Sequence, residues 1–241
     1  MDKSAVSTNI SPNDGMFKAN PGGYFRAGES ALNVIRLALE EADKEDIASI
    51  LDLPSGHGRI LRALKAAFPA AELAACDIDR EGVDFCAATF GATPIYGHEN
   101  PDEIDIRERY DLVWCGSLLT HLDAPRWPGF LDLFACVLAD DGVVVFTTAG
   151  REVERRLRVR SFLYSLTEEL ADAILAGYDE DGFGYADFPR RPGYGISLSK
   201  PAWVRTMLAR YPELRLLTCI EQGWNKHQDA FALVRAPRSR A

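Results

Sequence analysis

Four histidines and two strand-ending carboxylates carry the chemistry that this chain offers. His57, His98, His121 and His227 are the side chains able to take or give a proton near neutrality. Asp52 and Asp77 each close a short apolar run, Ser49-Ile50-Leu51-Asp52 and Leu73-Ala74-Ala75-Cys76-Asp77. The two runs are spaced as in a nucleotide-binding βαβ unit. Between them the chain reads Leu53-Pro54-Ser55-Gly56-His57-Gly58-Arg59 and opens into a helix. Glycines there let the backbone approach a ligand with no Cβ in the way. Amides at a helix start favour a negative group, and a carboxylate at 77 can accept from both hydroxyls of a ribose. The residues therefore point to a nucleoside-cofactor site. A tight strand-to-helix turn without ligand is the alternative for a lone glycine pair.

A dinucleotide fingerprint needs G-x-G-x-x-G, and Leu61 stands where its third glycine would fall. Leucine there holds the helix off the strand and leaves less room for a pyrophosphate. The pattern instead resembles motif I of the class I S-adenosylmethionine-dependent methyltransferases, D-x-G-x-G-x-G, with Pro54 in place of the first glycine. That departure fixes φ and removes an N–H. By the resemblance, Asp52, Pro54, Ser55, Gly56, Gly58 and Arg59 approach the methionine and ribose. Cys76-Asp77-Ile78-Asp79 resembles motif II, which implies Asp77 on the ribose and Ile78 against adenine, with Asp79 capping the next helix. His98 and Glu99 follow the third strand, where the family places groups near adenine. Arg109 to Leu122 resembles the fourth strand and its loop, bringing Cys115, Gly116 and Ser117 to the cofactor. The likeness runs through about Gly150. The implied cofactor is S-adenosyl-L-methionine, with S-adenosyl-L-homocysteine as product.

Later motifs, Gly193-Tyr194-Gly195, Trp203-Val204 and His227-Gln228-Asp229, resemble a bacterial subgroup encoded with sugar and cell-surface glycan enzymes. That resemblance implies a saccharide or other small polar hydroxyl acceptor. One departure is Thr147-Thr148-Ala149-Gly150, where relatives carry T-T-H-G. Methyl transfer from a sulfonium is an in-line displacement, so the protein chiefly aligns the reactants. A hydroxyl acceptor must also lose its proton. His121, after the fourth strand, is the first choice of base; helix capping is its alternative. His227 with Gln228 orients acceptor or ties the last hairpin. Tyr185 and Tyr194 are candidate acceptor walls. Arg151 leads an arginine cluster that binds an anionic acceptor group or forms a solvated face with Glu152 and Glu154. The amide-methylating N-P-P-Y is absent after the fourth strand, where Cys115-Gly116-Ser117-Leu118 stands.

Two other classes stay open at this point. One is another nucleoside-cofactor enzyme, an aminopropyltransferase or a nicotinamide oxidoreductase. The other is a binding module that keeps the fold without catalysis, a reading prompted by Pro54 and Ala149.

Positioning these residues requires alternating elements. Apolar patterning predicts strands at 48–53, 72–77, 93–97, 111–116 and 142–148, with helices at 58–68, 80–90 and 126–138 and a helical piece at 101–107. That is an α/β fold with a parallel sheet covered on both faces, and the resemblance implies a three-layer Rossmann-like methyltransferase sheet with an antiparallel last strand. Residues 1–28 read as tail and lid: the resemblance implies that Tyr24 and Arg26 cover the methionine end, with an aromatic turn packed on the core as the alternative, and a helix follows at 29–42. The domain proper covers 29–236, with an acceptor-binding insertion at 151–198 and a short tail at 237–241. Within the insertion, 151–176 reads as helix with a Ser165–Glu168 capping box and 177–198 as loop. A helix to 209 and strands at 213–220 and 229–235 close the chain.

Composition sets the outer limits. The 241 residues are 47% hydrophobic, enough for an ordinary core, and carry a net charge of −9. A long phosphate backbone needs clustered cations, so no nucleic-acid partner is expected. No apolar run approaches the roughly twenty residues of a membrane span, and residues 1–8 lack a secretion signature. The five cysteines show no C-x-x-C pair or metal-ligand spacing and read as thiols of a reducing cytoplasm. Oligomeric state is left open.

Overall fold

The computed structural model describes residues 6–236. Residues 1–5 and 237–241, read above as parts of the terminal tails, lie outside the described residues. Five strands run parallel: β1 (Ser49–Asp52), β2 (Glu72–Asp77), β3 (Thr93–Tyr96), β4 (Tyr110–Cys115) and β5 (Leu138–Thr148). β9 (Gln228–Arg235) pairs antiparallel with β5, and β8 (Leu214–Trp224) antiparallel with β9. The spatial order is β3-β2-β1-β4-β5-β9-β8, so β9 alone opposes the common direction.

Strand alternation divides the core in two. Ile50, Leu112, Trp114, Val143 and Val145 face one layer, where α2 (Pro21–Glu41), α3 (Leu61–Ala67) and α4 (Arg80–Phe90) pack. Leu51, Val113, Cys115, Val144 and Phe146 face the other, covered by α5 (Trp127–Val137) and α8 (Pro201–Leu208). Burial on both faces explains why the central strands read as continuous apolar runs. No helix among the described residues is long and apolar enough to cross a membrane.

Four expectations change. The expected lid is helical: α1 (Gly15–Ala19) is followed at once by α2, which starts at Pro21 and not near 29. Asn20 caps α2 by accepting from the Gly23 amide at 2.9 Å, with Pro21 in the first turn. This start signal outweighs the two glycines that follow it. Conversely, the helix expected from 58 begins at Leu61, because Gly56 and Gly58 hold φ of 48° and 75° and keep the turn open. In the insertion, helix is broken into α6 (Arg151–Arg158) and α7 (Glu168–Asp181). Thr167, not Ser165, caps α7, since Ser165 has a left-handed backbone (φ 64°) that a cap cannot adopt.

The fourth change matters most for function. Residues expected as loop form β6 (Phe183–Phe188) and β7 (Arg191–Ser199), an antiparallel two-stranded sheet. Glycine density misled the reading: a Cβ at Gly184 would strike the Ile174 backbone, so the glycines here permit close packing on α7. Ala186, Ile196 and Leu198 join Val153, Leu157 and Ile174 in a third apolar cluster. The insertion thus has its own small core, and its hairpin projects over the carboxyl ends of the main strands.

Candidate active site

A cavity of about 500 Å³ opens at those strand ends. Its floor is the turn after β1, lined by Leu53, Pro54, Ser55, Gly56, His57, Arg59 and Ile60. Asp77 and Ile78 follow from β2, then Gly97, His98 and Glu99 from β3. Gly116, Ser117, Leu118 and His121 line it after β4, and Pro192, Gly193 and Tyr194 from β7 form the roof.

Asp77 organises one end of the cavity. One oxygen accepts from the Gly56 amide at 2.7 Å and the other from the Asp79 amide at 2.9 Å. Each oxygen keeps a second lone pair for a hydroxyl from the cavity. Burial pushes the Asp77 pKa up, against the pull of the Asp79 and Gly56 amides. Asp79 caps α4 through the Gly82 amide, as expected. Gly58 lies behind the turn, where a side chain would strike Phe90.

Asp52 is one residue behind the floor, 1% exposed, and neither of its carboxylate oxygens has a hydrogen-bond partner. Burial raises its pKa well above the ordinary range, and the Asp77 charge adds to this; Arg59 and the Leu61 amide act the other way. Arg59 holds its guanidinium 5.4 Å above the Trp224 ring and makes no hydrogen bond or ion pair within the described residues. Burial lowers its pKa, while Tyr24, Asp14 and Asp52 favour its charge. A half-buried arginine thus lines the cavity, and the buried acid whose charge it favours lies behind the floor.

His121 defines the opposite end. Its Nδ1 lies 2.7 Å from the Gly195 carbonyl, and its ring stacks on Tyr194 at 4.7 Å. A carbonyl can only accept, so Nδ1 carries the proton and Nε2 keeps the lone pair. Burial lowers the His121 pKa, which leaves the ring neutral near pH 7. Beside it Ser117 is held at φ 65° by three side chains. Its amide donates to Thr147 at 2.8 Å, Gln228 donates to its hydroxyl at 2.8 Å, and Thr120 donates to its carbonyl.

Several candidates lie elsewhere. Tyr24 is 1% exposed inside the α1–α2 corner, bonded to Asp14 and Arg62, because the early helix start turns it inward. Arg26 is exposed on α2 and does not line the cavity. Cys115 points into the second core layer, as strand alternation requires of a residue two after Val113. His227 is in the β8–β9 turn, stacked on Tyr164 at 5.7 Å, outside the cavity. Arg151 is a surface group 3.4 Å from Glu221, and its cluster pairs with Glu152, Glu154, Asp172 and Asp179 along helix faces. Tyr185 and Gln228 stand one bond behind the lining, through Arg126 and Ser117. Ala149 belongs to the third apolar cluster, so the position where relatives carry histidine faces the insertion core here.

Other lining residues escaped the sequence reading: Asp14, Met16, Arg126 and Trp224. Asp14 left a signal as the cap before Gly15, accepting from Met16 and Phe17. Arg126 left another, three residues after Asp123 and paired with it at 2.7 Å.

A family model described as Methyltransferase domain matches residues 51–144, from β1 into β5. No curated protein matches the chain. Among solved structures, an S-adenosylmethionine-dependent methyltransferase from Clostridium acetobutylicum ATCC 824 superposes with a TM-score of 0.63 at 15% identity, over 92% of this chain and 98% of that one. Streptomyces venezuelae DesVI gives 0.59 at 14% identity, over 92% and 96%. An O-methyltransferase family protein from Burkholderia thailandensis gives 0.58 at 14%, over 94% of this chain and 59% of its own. At these identities the likeness is one of fold: the Rossmann-like methyltransferase sheet.

Proposed function

We propose that the chain is an S-adenosylmethionine-dependent methyltransferase that O-methylates a small polar acceptor, with a saccharide hydroxyl as the leading class and His121 as general base. The observation that carries this reading is the single cavity joining Asp77 and the unpaired Arg59 to His121. The residues fit the cofactor. Asp77 would hold the ribose and Ile78, 64% exposed, would lie against adenine with His98 and Glu99 at its edge. Arg59 would take the methionine carboxylate. Gly116 and Ser117 would border the sulfur.

Bound S-adenosylmethionine supplies an already activated methyl group. The chain's share is alignment and proton handling. Tyr194 roofs the site and excludes water. His121 Nε2 accepts the hydroxyl proton as the acceptor oxygen attacks, while the Gly195 carbonyl stabilises the charged ring.

Two features speak against the rival enzymes. The turn amides that would cradle a pyrophosphate are already used, Gly56 by Asp77 and Gly58 by the Ser55 carbonyl at 2.9 Å. A decarboxylated cofactor would leave Arg59 without its anion. S-adenosylhomocysteine should raise the melting temperature where NAD does not. Incubation with S-adenosylmethionine and hydroxyl acceptors, saccharides included, should release S-adenosylhomocysteine. Stabilisation by NAD alone overturns the reading. Binding without turnover on any acceptor favours the non-catalytic module.

A further inference from the structure

The β6–β7 hairpin carries more than Tyr194. Arg126, after β4, donates to the Gly193 carbonyl at 2.6 Å and to the Tyr185 hydroxyl at 3.2 Å, and is itself held by Asp123. The hairpin closes the same ring from its own side. Tyr185 donates to Asp187 at 2.6 Å, and the other Asp187 oxygen accepts from the Gly193 amide at 3.0 Å. Gly193 has φ of 76°, a left-handed conformation that lets the strand turn toward Arg126. Two residues on, Gly195 offers its carbonyl to His121. One segment after β4 therefore grips one strand at two neighbouring carbonyls, through Arg126 and through His121.

A two-stranded sheet is marginal by itself. The β6–β7 pair belongs to a separate apolar cluster and not to the main sheet, so side-chain contacts must set where its tip rests. Ser197, donating to the Leu119 carbonyl at 3.0 Å, pins the strand lower down. The tip itself depends on Arg126.

We infer that Arg126 is a positioning residue: by latching the hairpin tip it places the Gly195 carbonyl that orients the His121 ring and selects the tautomer with a free Nε2. The inference rests on His121 as base for its purpose, not for its geometry. With the latch closed, Nε2 is presented to the acceptor end of the cavity. With the latch open, the ring loses both its carbonyl partner and its stacking on Tyr194, and either tautomer is allowed. Cofactor contacts at Asp77 and Arg59 do not pass through this network.

The test is imidazole ¹⁵N NMR on the whole protein, comparing wild type with Arg126→Ala, Arg126→Lys and Tyr185→Phe. Wild-type His121 should show the Nδ1-protonated tautomer. Arg126→Ala should give mixed tautomers and an upward move of the titration midpoint, because burial outweighs the Gly195 bond and both are relieved as the ring gains water. Arg126→Lys should recover part of the wild-type signature, since a lysine can still donate to one carbonyl. Tyr185→Phe removes one hydroxyl and should give a smaller shift in the same direction. A wild-type far-UV circular dichroism spectrum and a cooperative melt show that each variant is folded. Should Arg126→Ala leave tautomer and midpoint as in wild type, or wild type show the Nε2-protonated form, the latch is overturned. If the latch signature is present but His121→Ala keeps full turnover, the base assignment fails and the latch stands.

Discussion

The Gly56 amide donates to the Asp77 carboxylate at 2.7 Å, which makes the glycine turn after β1 and the acid after β2 one structural unit. The strands are parallel neighbours, with Asp52 in register with Ala75, so the two turns meet at the same edge.

Asp77→Ala should weaken S-adenosylhomocysteine binding severely. On the proposed reading it removes a charge-assisted contact to the ribose, worth about 1.5–3 kcal/mol, and it frees the Gly56 amide. Asp77→Asn keeps one acceptor for that amide and should lose less. Titration calorimetry on both variants checks the order; equal, wild-type affinities would remove Asp77 from the site.

Arg59→Met keeps the packing on Trp224 and deletes the charge. It should lower affinity for S-adenosylhomocysteine by roughly tenfold or more, the value of a hydrogen bond to a charged group. Affinity for 5′-methylthioadenosine, which has no amino-acid portion, should hardly change. A parallel loss for both ligands would mean that Arg59 shapes the turn and does not read the carboxylate.

His121→Ala should cut turnover by about 10²–10⁴ with cofactor affinity retained. On the proposed reading the base works as the neutral ring. Because burial holds its pKa below the ordinary 6.5, activity should persist into mildly acidic buffer and fall only below that value. A pH–rate profile with its acid limb above 6.5 would point to another base.

Asp229 tests the energetics of the sheet edge. It is 1% exposed, one oxygen accepts from the Gln222 amide at 2.8 Å, and the other has no partner. Burial pushes its pKa from 3.8 up to about 6. Between those values the folded state holds more protons than the unfolded chain, so this group makes stability fall as pH rises. The cost is absent below 3.8 and complete above about 6. Asp229→Asn should therefore raise stability at pH 7 by on the order of 2 kcal/mol and flatten the slope between pH 4 and 6. Denaturant melts at several pH values measure it; a destabilised variant with the same slope would contradict it.

The residues around β1 and β2 show how much a local pattern can carry. Asp52, Asp77, the glycine turn and the Asp79 cap are all written within about thirty residues, and strand period, cap chemistry and turn glycines act over that range. Tyr24 shows the limit. The resemblance implies a lid there and the aromatic turn allows packing on the core; the Asn20–Pro21 helix start decides for the core.

Sequence alone thus determined the alternating strands and helices of the main sheet, their parallel direction, and the acids and glycines at the edge where a nucleoside would rest. Only the tertiary structure decided that residues 183–199 form a hairpin roof, that Arg126 and Trp224 reach the cavity, and that His227 and Arg151 do not. Arg126 meets Gly193 across 67 positions and Trp224 meets Ala27 across 197. Periodicity and capping are set by neighbours a few residues apart. What faces a shared cavity is set by how separate elements pack, and no local spacing records that.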